Sequence, residues 1–223
     1  MNPVRKVYCR IFQQCFHIAI PFLPYREPKI MRNIEDLVPL LKKKHITRVL
    51  LVTDKGIRNL GITSYLEDAF KKRKIYTVVY DNTVANPTID NVEEARKLYI
   101  KEQCQAIVAF GGGSSMDCAK VCGARVVKPN QSVRSMKGLL KIHKKLPLLV
   151  AIPTTAGTGS ETTLAAVITD GKEHHKYPIN DFSLIPRYAV LDYRVTMGLP
   201  SALTATTGMD ALTHAIEGYT ANS

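Results

Sequence analysis

The stretch Ile107-Val108-Ala109-Phe110-Gly111-Gly112-Gly113-Ser114-Ser115-Met116-Asp117 limits what this chain can fold into more than any other part of it. Its apolar run is too short for a helix and is stopped by glycine, so it reads as a buried parallel strand. Ser114, with Asp117 three residues on, reads as an N-cap with an acidic first turn, so a helix follows at once. A strand that feeds a glycine turn and then a helix N-terminus presents bare backbone N–H groups and the positive end of a helix dipole. Such a place can hold a phosphate. The spacing is neither G-x-G-x-x-G nor G-x-x-x-x-G-K-[ST], so the turn alone also allows a tight bend that binds nothing.

The rest of the chain repeats that grammar. Arg48–Thr53 reads as a strand ending at Asp54, Ile57–Lys72 as a helix, and Ile75–Tyr80 as a second strand. A loop over Asp81–Thr88 is broken by Asn86-Pro87, and Asp90 is expected to cap a helix to about Gln103. After the glycine turn come a helix over Ser115–Val127, a basic loop, and a strand over Leu148–Ile152. Further strands are expected at Thr163–Thr169 and Ala189–Asp192, and a last helical run over Ala202–Thr220. Strands alternating with helices imply βαβ units and a parallel sheet. In such sheets ligands bind beyond the carboxyl ends of the strands. Asp54, Asn86, Gly111–Ser114 and the segment from Pro153 onward therefore belong on one rim, which favours the phosphate reading.

Two further stretches bear chemistry. Pro153-Thr154-Thr155-Ala156-Gly157-Thr158-Gly159-Ser160-Glu161 is dense in hydroxyls and small residues, so a ligand can approach its backbone closely. A turn of this composition can also satisfy only itself. Asp210 and His214, four apart on the last helix, project from one face within reach of a common ion. Carboxylate plus imidazole suits Fe²⁺, Zn²⁺ or Mn²⁺, although a simple Asp–His hydrogen bond has the same spacing.

Charge narrows the function classes. The 31 Lys and Arg against 19 Asp and Glu give a net charge of +12. The cations gather at Lys42–Lys44, Lys71–Lys74 and Lys137–Lys145, the first two at helix ends where they suit the dipole and face water. With no aromatics interleaved there, nucleic acid is not expected as a partner. Five cysteines without a C-x-x-C pair fit a reducing compartment, and the chain is expected in the cytoplasm. Residues 1–24 form an N-terminal extension, in which Arg5, Lys6 and Arg10 precede the fairly apolar Ile11–Pro24. That segment is too short to span a bilayer and is broken by Gln13, Gln14, His17 and Pro21. It reads as an amphipathic helix that packs on a surface or a partner. Interfacial membrane contact is the lesser alternative, and stable insertion is not expected.

Taken together, Gly111-Gly112-Gly113-Ser114-x-x-Asp117, the Pro153–Glu161 loop and Gly208-Met209-Asp210-Ala211-Leu212-Thr213-His214-Ala215-x-Glu217 resemble the iron-dependent (group III) alcohol dehydrogenases in order and spacing. Val52-Thr53-Asp54-Lys55, Asn86-Pro87-Thr88 and Pro24-Tyr25-Arg26-Glu27-Pro28 extend the resemblance from about residue 22 to the end. It implies an α/β, parallel-sheet, Rossmann-like dinucleotide-binding domain over 25–196. The first helix of an all-helical metal-binding domain would occupy 197–223. By the same resemblance Gly112, Gly113 and Ser114 hold the NAD pyrophosphate with Asp117 nearby, and Thr154, Thr155 and Thr158 line the cleft. Lys176 reaches a ribose hydroxyl, Asn86 lies near the adenosine half, and Asp54 takes the adenosine ribose and disfavours NADP. Asp210 and His214 become ligands of a divalent metal, Fe²⁺ first and Zn²⁺ as the alternative. The reaction is hydride transfer between NAD and a small-molecule alcohol, aldehyde or ketone, with the metal as Lewis acid.

Family members complete the metal site with two later histidines. Here His17, His45, His143, His174 and His175 all precede Asp210, and the sequence stops at Ser223. The expectation is an N-terminal portion with an incomplete metal site. Its last helix would be uncovered along Leu212, Ala215 and Ile216, which invites a homo-oligomer or a complementing C-terminal half. The alternatives are a catalytically inactive nucleotide-binding module and half of a split enzyme.

Overall fold

The computed structural model describes residues 3–19, 22–173 and 175–221, and within the first helix not the side chains of 3–6, 12, 16, 17 and 19. Pro21, His174 and Ser223, named above, lie outside the described residues. Helix α1 (Pro3–Ala19) comes first, longer than the expected segment and starting earlier.

Six strands form one fully parallel sheet: β1 (Lys29–Met31), β2 (Arg48–Val52), β3 (Tyr76–Tyr80), β4 (Ala106–Gly111), β6 (Leu148–Pro153) and β9 (Tyr188–Val190). Their order is β1-β9-β6-β4-β2-β3. Alternate residues of the central strands divide the core between two faces. Leu50, Val52, Ile107, Ala109, Leu149 and Ala151 point to one; Val49, Leu51, Val108, Phe110, Val150 and Ile152 point to the other. Each large apolar side chain so buried contributes about 1.5–3 kcal/mol. The first face is covered by α5 (Ile89–Lys101) and α6 (Gly113–Val127). The second is covered by α2 (Leu37–Lys43), α3 (Lys55–Asn59) and α4 (Ser64–Lys71).

The connection after β2 leads outward to β3 through α3 and α4, while that after β4 leads the other way to β6 through α6. The C-terminal ends of β2 and β4 thus flank the point where the winding reverses, which is where open α/β sheets bind ligands. A second sheet, β5 (Gly138–Leu139), β8 (His175–Asn180) and β7 (Ala165–Asp170), lies beyond α6, and its β7–β8 pair is antiparallel. Helix α7 (Ser201–Thr220) follows and buries none of its residues.

Several local expectations need correcting. The helix expected over Ile57–Lys72 is broken in two, and Arg58 in the first piece donates to Thr63 Oγ1 at 2.8 Å across the break. Thr88, not Asp90, caps α5: its hydroxyl accepts from Asn91 N while Asn91 Oδ1 accepts from Thr88 N, a reciprocal capping box. Ser114 does not cap α6. The cap position is Gly112, no side chain bonds to it, and Asp117 is not in the first turn. The strand expected at Thr163–Thr169 begins at Ala165, and that at Ala189–Asp192 ends at Val190.

Candidate functional site

The strand ends bring the predicted residues together. Gly111 pairs with Pro153 at the end of the β4–β6 ladder, and Thr154 N donates to Gly111 O at 3.0 Å. The glycine turn and the threonine-rich loop therefore leave adjacent strands side by side. A Cβ placed on Gly112 would lie 3.6 Å from Thr155 Oγ1, and one on Gly113 would lie 3.2 Å from Thr158 Cγ2. No side chain caps α6, and Gly113 and Ser114 of its first turn line the cleft, so helix-start N–H groups are left without a side-chain partner there. Thr154 Oγ1 and Thr155 Oγ1 are buried without a hydrogen-bond partner. An unmade bond of this kind costs about 1–3 kcal/mol unless something fills it. A pyrophosphate with its attached riboses has the acceptors and donors to do so, and the residues present fit a dinucleotide.

Asp54 sits half-buried at the end of β2. One carboxylate oxygen accepts from Ile57 N at 2.9 Å, capping α3, and the other accepts from Ser115 Oγ at 3.3 Å, linking the two strand ends at the reversal point. Asn86 holds a left-handed turn (φ +58°) after β3. Its N–H donates to Ser114 Oγ at 3.3 Å, and its Oδ1 accepts from Lys176 Nζ at 2.6 Å, so β8 reaches over the glycine turn.

Asp117 faces inward. It accepts from Ser160 Oγ at 3.0 Å and from Val167 N at 2.9 Å, tying α6 to the loop and to β7. Burial pushes its carboxyl up, against the opposing pull of Lys120. Lys120 itself was missed by sequence reasoning. Its side chain is fully buried, and its ammonium donates to Ser160 Oγ (3.2 Å), Thr163 O (3.1 Å), Thr163 Oγ1 (3.0 Å) and Ala165 O (2.8 Å). Burial pushes it down to about 8, while Asp117 and Glu161 pull the other way. The available signal was a lysine inside Cys118-Ala119-Lys120-Val121-Cys122, a run of small and apolar residues on a helix with no exposed stripe.

A cleft of ≈ 360 Å³ is lined by Asn86, Gly113, Ser114, Thr158, Lys176 and His214 among others, while Asp54, Thr154 and Thr155 stand outside its lining. A larger trough of ≈ 870 Å³ lies at the opposite, N-terminal ends of the strands, beside Leu148 and Arg187, away from every group described above. Helix α7 meets the cleft through Gly157, where a Cβ would come within 2.6 Å of Thr207 O, so only glycine allows the approach. One turn further along α7, Asp210 Oδ1 and His214 Nε2 stand 3.5 Å apart with both side chains exposed. Their donor chemistry suits a divalent transition metal, but two side chains do not complete a shell. No group of three or more His, Cys, Asp or Glu able to hold a metal occurs among the described residues.

A parallel sheet with an uncapped helix at its reversal point, a glycine turn and an acid at the neighbouring strand end define a doubly wound, Rossmann-like α/β protein. The comparisons sharpen this. The family model described as iron-containing alcohol dehydrogenase matches residues 30–193, and the chain belongs to that family. Alcohol dehydrogenase 4 of Schizosaccharomyces pombe is 39% identical over 180 residues, covering 80% of this chain and 42% of that protein. The NAD-dependent methanol dehydrogenase of Bacillus methanolicus is 35% identical over 188 residues, covering 84% and 49%. The crystal structure of a 1,3-propanediol oxidoreductase superposes with a TM-score of 0.82 at 34% identity, covering 87% of this chain and 52% of that one. The chain spans about half the length of the curated relatives it matches.

Proposed function

We propose that the chain is the dinucleotide-binding part of an NAD-dependent oxidoreductase acting on a small alcohol and its aldehyde or ketone. The observation that carries this reading is the uncapped start of α6 with Gly112 beside the unpartnered Thr155 hydroxyl and Gly113 beside Thr158. Backbone N–H groups at Gly113 and Ser114 take the pyrophosphate, and Thr154, Thr155 and Thr158 close over it. Asp54 accepts from the adenosine ribose, and its charge repels a 2′-phosphate, so NAD is preferred over NADP. Asn86 borders the adenosine half, and Lys176, held by Asn86, reaches a ribose hydroxyl. Asp117 supports the loop from behind through Ser160. The nicotinamide supplies the hydride acceptor.

Residues 25–196 form the dinucleotide-binding unit in this reading, 1–24 an extension, and 197–223 the beginning of a helical unit. Asp210 and His214 supply two ligands of a divalent ion, Fe²⁺ ahead of Zn²⁺, which would polarise the substrate oxygen. The relatives named for alcohols and for NAD support the activity, and five free cysteines support the cytoplasm. The uncovered α7 supports association, either with a second copy or with a complementing helical half.

Titrating the purified chain with NADH, followed by its own fluorescence, tests the reading, with NADPH as the control. Saturable binding that prefers NADH supports it, and no binding ends it. A second reading is a nucleotide-binding module without turnover. Binding without alcohol oxidation or bound metal identifies that module.

A further inference from the structure

We propose that α1 is a docking helix for an anionic lipid surface. It lies ahead of the family-matched domain, which begins at residue 30, so the shared fold does not account for it. Positions 7, 8, 11, 15 and 18 share one helical face. Val7, Tyr8, Ile11 and Ile18 stand 57–68% exposed there, with Phe22 just beyond at 86%. Positions 6, 10, 13, 14 and 17 fall together on the other side and carry Lys, Arg, Gln, Gln and His. No acidic residue occurs before Glu27.

A wide apolar face beside a side that bears Lys6, Arg10 and amides but no acid matches a lipid interface, where the apolar side sinks to the acyl boundary and the cations meet headgroup phosphates. A protein groove gives no reason to exclude acids from a stretch this long. At 17 residues α1 lies on such a surface and does not cross it, and no described helix is long and apolar enough to cross a membrane. The cytoplasmic leaflet carries the matching negative charge.

The full chain is floated with vesicles of phosphatidylcholine, with and without phosphatidylglycerol, at low and high salt. Binding should require phosphatidylglycerol and weaken with salt. Arg10→Glu should lower the partition about tenfold or more, and Ile11→Asp should abolish it, with both thermal midpoints unchanged because neither side chain packs in the core. No flotation with anionic vesicles, or flotation that both variants leave intact, overturns the proposal. Capture of a soluble protein by α1 in the absence of vesicle binding also overturns it and gives the face to that partner. None of these outcomes depends on dinucleotide binding.

Discussion

Gly113, in the first turn of α6, faces Thr158 across the cleft so closely that one added methyl would lie 3.2 Å from the threonine Cγ2. The backbone there is helical, so alanine brings no backbone strain and improves helix propensity, and this gain offsets the few tenths of an ångström by which Thr158 must give way. Gly113→Ala should therefore leave the thermal midpoint unchanged or slightly raised while weakening NADH binding about tenfold or more. Calorimetric titration beside a melting curve checks both. Equal loss of stability and affinity would show that the glycine serves packing alone.

Asp54 has two separable roles. Asparagine caps a helix as well as aspartate does, so Asp54→Asn keeps the bond to Ile57 N, removes the charge and reverses the Ser115 contact, its Nδ2 donating where the carboxylate accepted. The ratio of NADPH to NADH affinity should rise about tenfold, with stability unchanged. Asp54→Ala should raise the ratio similarly and also cost about 1 kcal/mol in urea unfolding.

Lys120→Met replaces a buried ammonium that joins Ser160, Thr163 and Ala165 to α6. Leaving those acceptors unpaired should destabilise the fold by about 2–4 kcal/mol. The pH dependence carries a second signature. Lys120 is held at about 8 when folded, so the unfolded chain binds the extra proton between there and the ordinary lysine value. Stability attributable to this group therefore rises with pH through that window. Urea midpoints at pH 7 and pH 10 should show the rise in the parent and not in Lys120→Met.

Asp170 is buried at the end of β7 and paired with Arg134, whose hydrogen bonds hold its carboxyl well below the usual carboxylate range. A depressed carboxylate stabilises the fold above the ordinary aspartate value and loses that contribution as pH falls towards the folded value. Arg134→Ala should move the acid-unfolding midpoint to higher pH, as circular dichroism during an acid titration would record. An unmoved midpoint would place the acid sensitivity at Asp181 or Asp192, also held low.

The central strands and their shared rim were legible because β2, β4 and β6 are buried on both faces and read as unbroken apolar runs. β1 has only three residues to show, and β8 (His175–Asn180) buries only Tyr177 and Ile179 around Pro178, which reads as a breaker yet pairs with Val167. No local pattern announces such an edge or hairpin; β1 exists because β9 offers it a parallel partner, and the β7–β8 hairpin because β7 packs on α6. The helix caps failed for a related reason. Asp90 and Ser114 are good capping residues by type, but position relative to the strand end gives the role to Thr88 and Gly112. Lys120 was invisible because lysine is read as a surface residue, and only its four acceptors, all far along the chain, make its burial tolerable.

The pairing of Lys29 with Tyr188 places nearly the earliest sheet residue beside nearly the last. On a ribosome β1 would emerge roughly 10–30 s before its only neighbour exists. Its exposed edge must stay out of trouble for that interval, and the sheet gains its final border only when synthesis has passed β9. Slow codons or a chaperone at that moment would change yield without altering a single native contact.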